Sequence, residues 1–119
     1  MFMVHEEKKV AKIVEELTMF FFSIGGNKMS SGIERNGDKV KITFRSNYLP
    51  ENSHSIEKLA RCLSEPKNEG IEDVYWELAG YGDPGESSQL LLVGMMIDQY
   101  ELKVRGNEAE VILYKDLLF

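Results

Sequence analysis

The sequence predicts an α+β protein, a two-layer α/β sandwich in which antiparallel β-hairpins form one mixed sheet and helices pack on one of its faces. Three observations carry this reading. Two turn signals, Asn36-Gly37 and Gly106-Asn107, each separate stretches in which apolar and polar residues alternate, the pattern of half-buried antiparallel strands. Several other stretches are apolar on one helical face only, so each must cover something else. The order is helix, hairpin, two short helices, helix, hairpin, which lets one sheet receive the helices on one side.

The first helix is expected over residues 4–24, where Val10, Ile13, Val14, Leu17, Phe20, Phe21 and Ile24 form one apolar stripe. Glu6 and Glu7 lie near its positive N-terminal end, and Gly25-Gly26 stops it. Strands follow over 28–35 and 39–46. The second alternates Val40, Ile42 and Phe44 with Lys41, Thr43 and Arg45. The first would turn Met29, Ser31 and Ile33 inward, and Asn36-Gly37 between the strands reads as a type I′ turn. A short helix over 55–65 uses Ile56, Leu59, Ala60 and Leu63, with Ser53 or Ser55 as cap and Pro66 after it. Residues 71–79 read as a further helix, with a strand as the alternative because Val74-Tyr75-Trp76 suits either. Gly80 to Gly85 is a loop. The helix over 87–99 is apolar from Leu90 to Ile97 and should be buried on more than one side. The last hairpin turns at Gly106-Asn107, with Tyr100, Leu102 and Val104 alternating before it and Ala109, Val111 and Leu113 after it.

With 119 residues the chain reads as one domain, 1–119, large enough to form a core without covalent staples. The net charge of −6 and the lack of a basic stripe argue against nucleic acid, whose phosphates need clustered Lys and Arg. Lys8, Lys9 and Lys12 are flanked by Glu6, Glu7, Glu15 and Glu16 and read as a solvated helix face with i,i+4 pairing. Cys62 is the single cysteine, so no internal disulfide forms. No apolar run reaches membrane-spanning length, and charge begins at His5, against a secretory signal. A cytoplasmic protein is expected.

The stretch Glu16-Leu17-Thr18-Met19-Phe20-Phe21, ending at Gly25, then the strand Val40 to Arg45, then Gly85 to Tyr114 with its Leu90-Leu91-Leu92-Val93 helix opening and final hairpin, resembles in order the ATP-binding module of sensor histidine kinases, DNA gyrase and the heat-shock chaperones, the GHKL or Bergerat fold. The family's first helix carries Glu-Leu-x-x-Asn-Ala. Here Glu16 and Leu17 match, but Phe20 stands where the family's asparagine holds magnesium and Phe21 where its alanine lies. The family's hairpin ends in Asp-x-Gly, the aspartate reading the adenine amino group; here Ser46-Asn47-Tyr48 follows instead. The resemblance therefore implies the fold without its nucleotide chemistry.

The residue types agree. A metal–triphosphate complex needs oxygen or amide ligands and helix N-terminal amides. Phe20 supplies neither, and Asp83 and Glu86 put negative charge beside Gly82 and Gly85, where phosphates would lie. No Lys or Arg occurs between 68 and 102. No catalytic, cofactor-binding or metal-binding residue is therefore assigned and no cofactor is expected. If a nucleotide does bind, Glu16, Asn47, Gly82 and Gly85 are the residues to hold it, with Asn27 also near the cleft and Glu16 the first suspect because it aligns with the family's catalytic glutamate.

Other chemistry is weaker. His5-Glu6 echoes a kinase phosphoacceptor helix without the residues that usually follow. His54 has no Cys or second His nearby, against a metal site. Cys62 has no histidine placed to activate it. Glu72, Asp73 and Glu77 read as the wet face of their helix. Met19, Phe22, Tyr75, Trp76 and Tyr81 could leave apolar surface for a partner. The tail 115–119 could close the domain edge or dock on a second copy. Met19, Met95 and Met96 could line an apolar sensor pocket, though such residues are usually core. The expected function is that of a non-catalytic regulatory or protein-interaction domain that has lost ATP binding, with a protein partner or a homodimer. The alternative is a nucleotide-binding enzyme or small-molecule sensor using the same cleft.

Overall fold

A computed structural model describes residues 2–68 and 87–117. The expectations for 71–79, and for Gly82, Gly85 and the loop around them, lie outside the described residues. The elements are α1 (Phe2–Ser23), β1 (Met29–Asn36), β2 (Lys39–Asn47), a 3-10 turn (Pro50–Asn52), α2 (Ser53–Leu63), α3 (Ser87–Met96), β3 (Gln99–Arg105) and β4 (Glu108–Asp116).

The architecture is the two-layer sandwich that the alternating strands and one-faced helices imply. The four described strands form a sheet in the order β1-β2-β4-β3. The sheet expected to be mixed is antiparallel in all three pairings, because the hairpins join through β2 and β4, which run opposite ways from Lys39↔Asp116 to Asn47↔Glu108. Val40, Ile42 and Phe44 of β2 and Ala109, Val111 and Leu113 of β4 point to one face and form a single core with Ile13, Leu17 and Phe21 of α1, Leu59 and Leu63 of α2, and Leu90 and Val93 of α3. α1 packs on β2 and α3, and α2 packs on α3. No described helix is long and apolar enough to cross a membrane.

α1 starts at Phe2, so Glu6 and Glu7 lie in its second turn rather than at its end. It closes in a Schellman arrangement: Gly26 N–H donates to Phe21 O at 2.7 Å and Gly25 N–H to Phe22 O at 3.1 Å. Gly25 takes the left-handed φ of 94° that this requires, and a Cβ there would strike the Leu49 side chain. The first hairpin corrects the expected turn type. Asn36 pairs with Lys39, so the loop is Gly37-Asp38, and only Gly37 has positive φ, 66°. A type I′ turn needs positive φ at both central residues; one glycine at the first is the type II′ pattern. Gly106-Asn107 repeats it, with φ 63° at Gly106.

Three further expectations are corrected. α2 is preceded by Asn52 rather than capped by Ser53 or Ser55, and the Asn52 amide instead donates to Ile24 O at 3.0 Å, tying α2 to the end of α1. α3 stops at Met96, short of 99, because Asp98 N–H already donates to Tyr114 O at 2.8 Å and Lys115 Nζ closes the helix by donating to Met96 O at 2.8 Å. Ser31 and Ile33 of β1 are exposed: α1 lies over β2, so the inner side of the edge strand has no described helix above it. In the tail, Lys115 belongs to β4 and Leu117 is buried, its N–H donating to Asp38 O at 2.6 Å; this part closes the domain's own edge.

Gly94 sets the spacing of α2 and α3. A Cβ there would lie 2.1 Å from the Cys62 carbonyl oxygen, a backbone atom that cannot swing away. Helix propensity alone would favour Gly94→Ala by about 1 kcal/mol, but overpacking costs about 1–3 kcal/mol. The variant is expected to be less stable in urea denaturation; a stabilised one would mean that the helices separate freely.

Candidate functional site

The feature most unlike an ordinary small core is a line of buried charge along α1. Glu6, Lys9, Ile13, Glu16 and Phe20 recur at alternating spacings of three and four, which places them on one stripe of the helix. Glu6, Lys9 and Glu16 are respectively 2%, 0% and 1% exposed. The expectation of a solvated face is thus corrected for these three residues, while Glu7, Lys8 and Glu15 remain on the surface. Charge this deep is retained only with partners, because desolvation otherwise neutralises or expels it. Lys9 Nζ donates to Glu6 Oε2 in a buried pair one turn apart.

Glu16 follows on the same stripe, one turn before Phe20. Phe20 is buried, with its ring edge-on to Phe21 at 5.1 Å between centroids, and Phe21 stacks on Phe44 of β2 at 5.6 Å. The position that the resemblance assigns to a metal-holding amide is therefore packed as aromatic core. On α3, Gln89 is also buried, and its Oε1 meets no donor among the described residues.

Asn47, the other expected nucleotide contact, lies elsewhere. Its Oδ1 accepts from Asn27 N–H at 2.9 Å and Lys28 N–H at 3.1 Å, and its Nδ2 donates to Asn27 Oδ1 at 2.7 Å. It clamps the connection between α1 and β1, and the same bonds engage Asn27. This clamp sits beyond the end of α1, whereas Glu16 lies about 10 Å of helix axis before that end. Gly82 and Gly85, the other two expected contacts, lie outside the described residues. A concavity of about 580 Å³ beside the clamp is lined by Arg45, Asn47, Lys103, Arg105, Glu108 and Glu110 among others. Its charges are already partly matched, with Glu110 held below the usual carboxylate range chiefly by its hydrogen bond from Arg45.

The remaining candidates separate cleanly. His54 is exposed; the side chain of His5 and residues Glu72, Asp73, Tyr75, Trp76, Glu77 and Tyr81 are outside the described set. Cys62 is buried, and burial pushes its thiol above the ordinary value, opposite to what a nucleophile needs. Met96 is fully buried and Met19 is 39% exposed. Phe22, at 57%, is the most exposed large apolar residue among those described. Near the start of β3, burial pushes the Asp98 carboxyl up, but the Lys67 ammonium at 2.7 Å and the Asp116 N–H at 2.6 Å outweigh it and hold the group below the usual range.

Residue type alone places the buried charges of α1 on the surface. The signal that would have found them is their spacing relative to Ile13 and Phe20. Comparison with protein-family models finds no match, and none is found among curated proteins.

Proposed function

We propose that this domain is a non-catalytic regulatory or protein-interaction module with a histidine-kinase-like ATPase fold that has lost ATP binding. It acts in the cytoplasm through a protein partner or a second copy. The observation that carries this reading is Phe20, buried in contact range of Phe21 at the helix position where the ATPases it resembles hold magnesium through an asparagine. Asn47, in the place of the strand-end motif that reads adenine, is committed to the α1–β1 clamp.

The alternative is a nucleotide-binding enzyme or small-molecule sensor working through Glu16. It is favoured by one observation, the buried Gln89 Oε1 that meets no donor among the described residues, a group that a bound ligand would satisfy. Thermal unfolding with and without magnesium–ATP separates the two. A ligand at about 100 times its Kd adds about 2.7 kcal/mol, several degrees for a domain of this size. No shift is expected. A rise in Tm that Glu16→Ala abolishes would replace the first reading with the second.

A further inference from the structure

Among the described residues, β1 is an edge of the sheet that lacks the usual protection. Natural edges are blunted by proline, lysine, bulges or a covering loop. β1 has no proline or lysine, and it pairs with β2 residue for residue without a bulge. Its middle, Ser30-Ser31-Gly32-Ile33, is uncharged. Arg35 reaches the side of α1 through its 2.9 Å pair with Glu7. The opposite edge, β3, carries Lys103, and the chain after α2 docks at its start through Ser64–Tyr100 at 2.8 Å and Lys67–Asp98 at 2.7 Å.

The hydrogen-bond parity of β1 is fixed. Asn47 N–H donates to Lys28 O, and Asn36 and Lys39 flank a two-residue turn, so the even-numbered residues of β1 bond to β2. Met29, Ser31, Ile33 and Arg35 therefore turn their N–H and C=O groups to the open edge.

We propose that β1 pairs antiparallel with β1 of a second copy about a two-fold axis at Gly32, making one continuous sheet with both helical layers on the same side. Overlap and charge together select this register: an axis at Ser31 would face Glu34 with Lys28 but pairs only Met29, Ser31 and Ile33 of the edge, whereas the Gly32 axis also engages Arg35. Ser31 then faces Ile33 of the second copy, Met29 faces Arg35, and Glu34 faces Ser30 with Lys28 diagonal to it. One step along, an axis at Ile33 makes the two Glu34 side chains diagonal neighbours. A further step, to Glu34, sets them directly opposite, which is destabilising. About eight backbone hydrogen bonds form in the Gly32 register. Ile33, 54% exposed on the helix side, gains Ile33 and Met29 of the second copy as diagonal neighbours. An interface of this kind rests on the protein-contact reading of the domain but is tested without nucleotide. A monomer would remove the interface, whereas an ATP-induced rise in Tm would remove the reading.

The test is light scattering on the full chain, with a cysteine at the axis. Gly32 faces its own copy as a non-hydrogen-bonded pair, with Cα atoms about 4.5 Å apart, inside disulfide range. A Cβ at Gly32 meets nothing within 4 Å, and the native Cys62 is buried. The expected mass is twice 13.6 kDa. Gly32→Cys should become a covalent dimer on mild oxidation, and Glu34→Cys should not. Ser31→Pro removes an N–H that faces the edge and should give a folded monomer. A wild-type monomer at the highest concentration the protein reaches overturns the proposal, and so does a dimer that Ser31→Pro leaves intact. Pairing of β1 with a different protein's strand would appear as the monomer.

Discussion

Phe20→Asn is expected to lose most of the stability of the domain and to gain no nucleotide. The ring lies in the core, edge-on to Phe21, which in turn stacks on Phe44. Removing a buried aromatic side chain leaves a cavity costing about 3–5 kcal/mol. The amide adds two donors and an acceptor among apolar neighbours, and each group left unpaired costs about 1–3 kcal/mol. Against a typical total of about 5–15 kcal/mol, the variant is expected to unfold at far lower urea. Phe20→Leu keeps the site apolar and separates the cavity from the amide: the difference between the two variants measures the unpaired polar group. Gain of magnesium-dependent ATP binding with stability unchanged would show that the position is an open cleft and not filled core.

The parts of this fold that were legible in the sequence are those fixed by a repeating spacing. The stripe from Val10 to Ile24, the alternation of Val40, Ile42 and Phe44, and the glycine turns depend on which residues share a face, and that follows from helix and strand periods alone. What was not legible depends on where one element lies over another. Ser31 and Ile33 occupy inward positions of β1 by parity, yet stay exposed because α1 sits above β2. Asn47 looks like a free strand-end amide until the fold brings Asn27 and Lys28 against it. Gly94 looks like a weak point in an apolar helix until the Cys62 carbonyl is found beside it. Glu6, Lys9 and Glu16 belong to neither group. Their spacing placed them on the buried stripe, but their charge argued for solvent, and the spacing was the better guide.

That conflict gives the second large effect. Lys9→Met is expected to destabilise the domain by about 3–5 kcal/mol, even though the methionine is apolar and of similar length. The substitution removes the ammonium and leaves the Glu6 carboxylate, 2% exposed, without the cation one turn away. Glu6→Leu should do comparable damage by stranding Lys9. The double variant should be less harmful than the sum of the two, because replacing a buried ion pair with apolar residues removes the desolvation cost together with the attraction. Recovery should be incomplete, since each side chain also engages other groups. Urea denaturation of the four proteins measures the coupling. A coupling near zero, with Lys9→Met neutral, would mean that water reaches the pair and that this end of α1 opens in solution. Strong coupling would mean that the charged line is a closed structural element, which leaves Glu16 as the one buried charge on α1 whose role is decided by the nucleotide experiment.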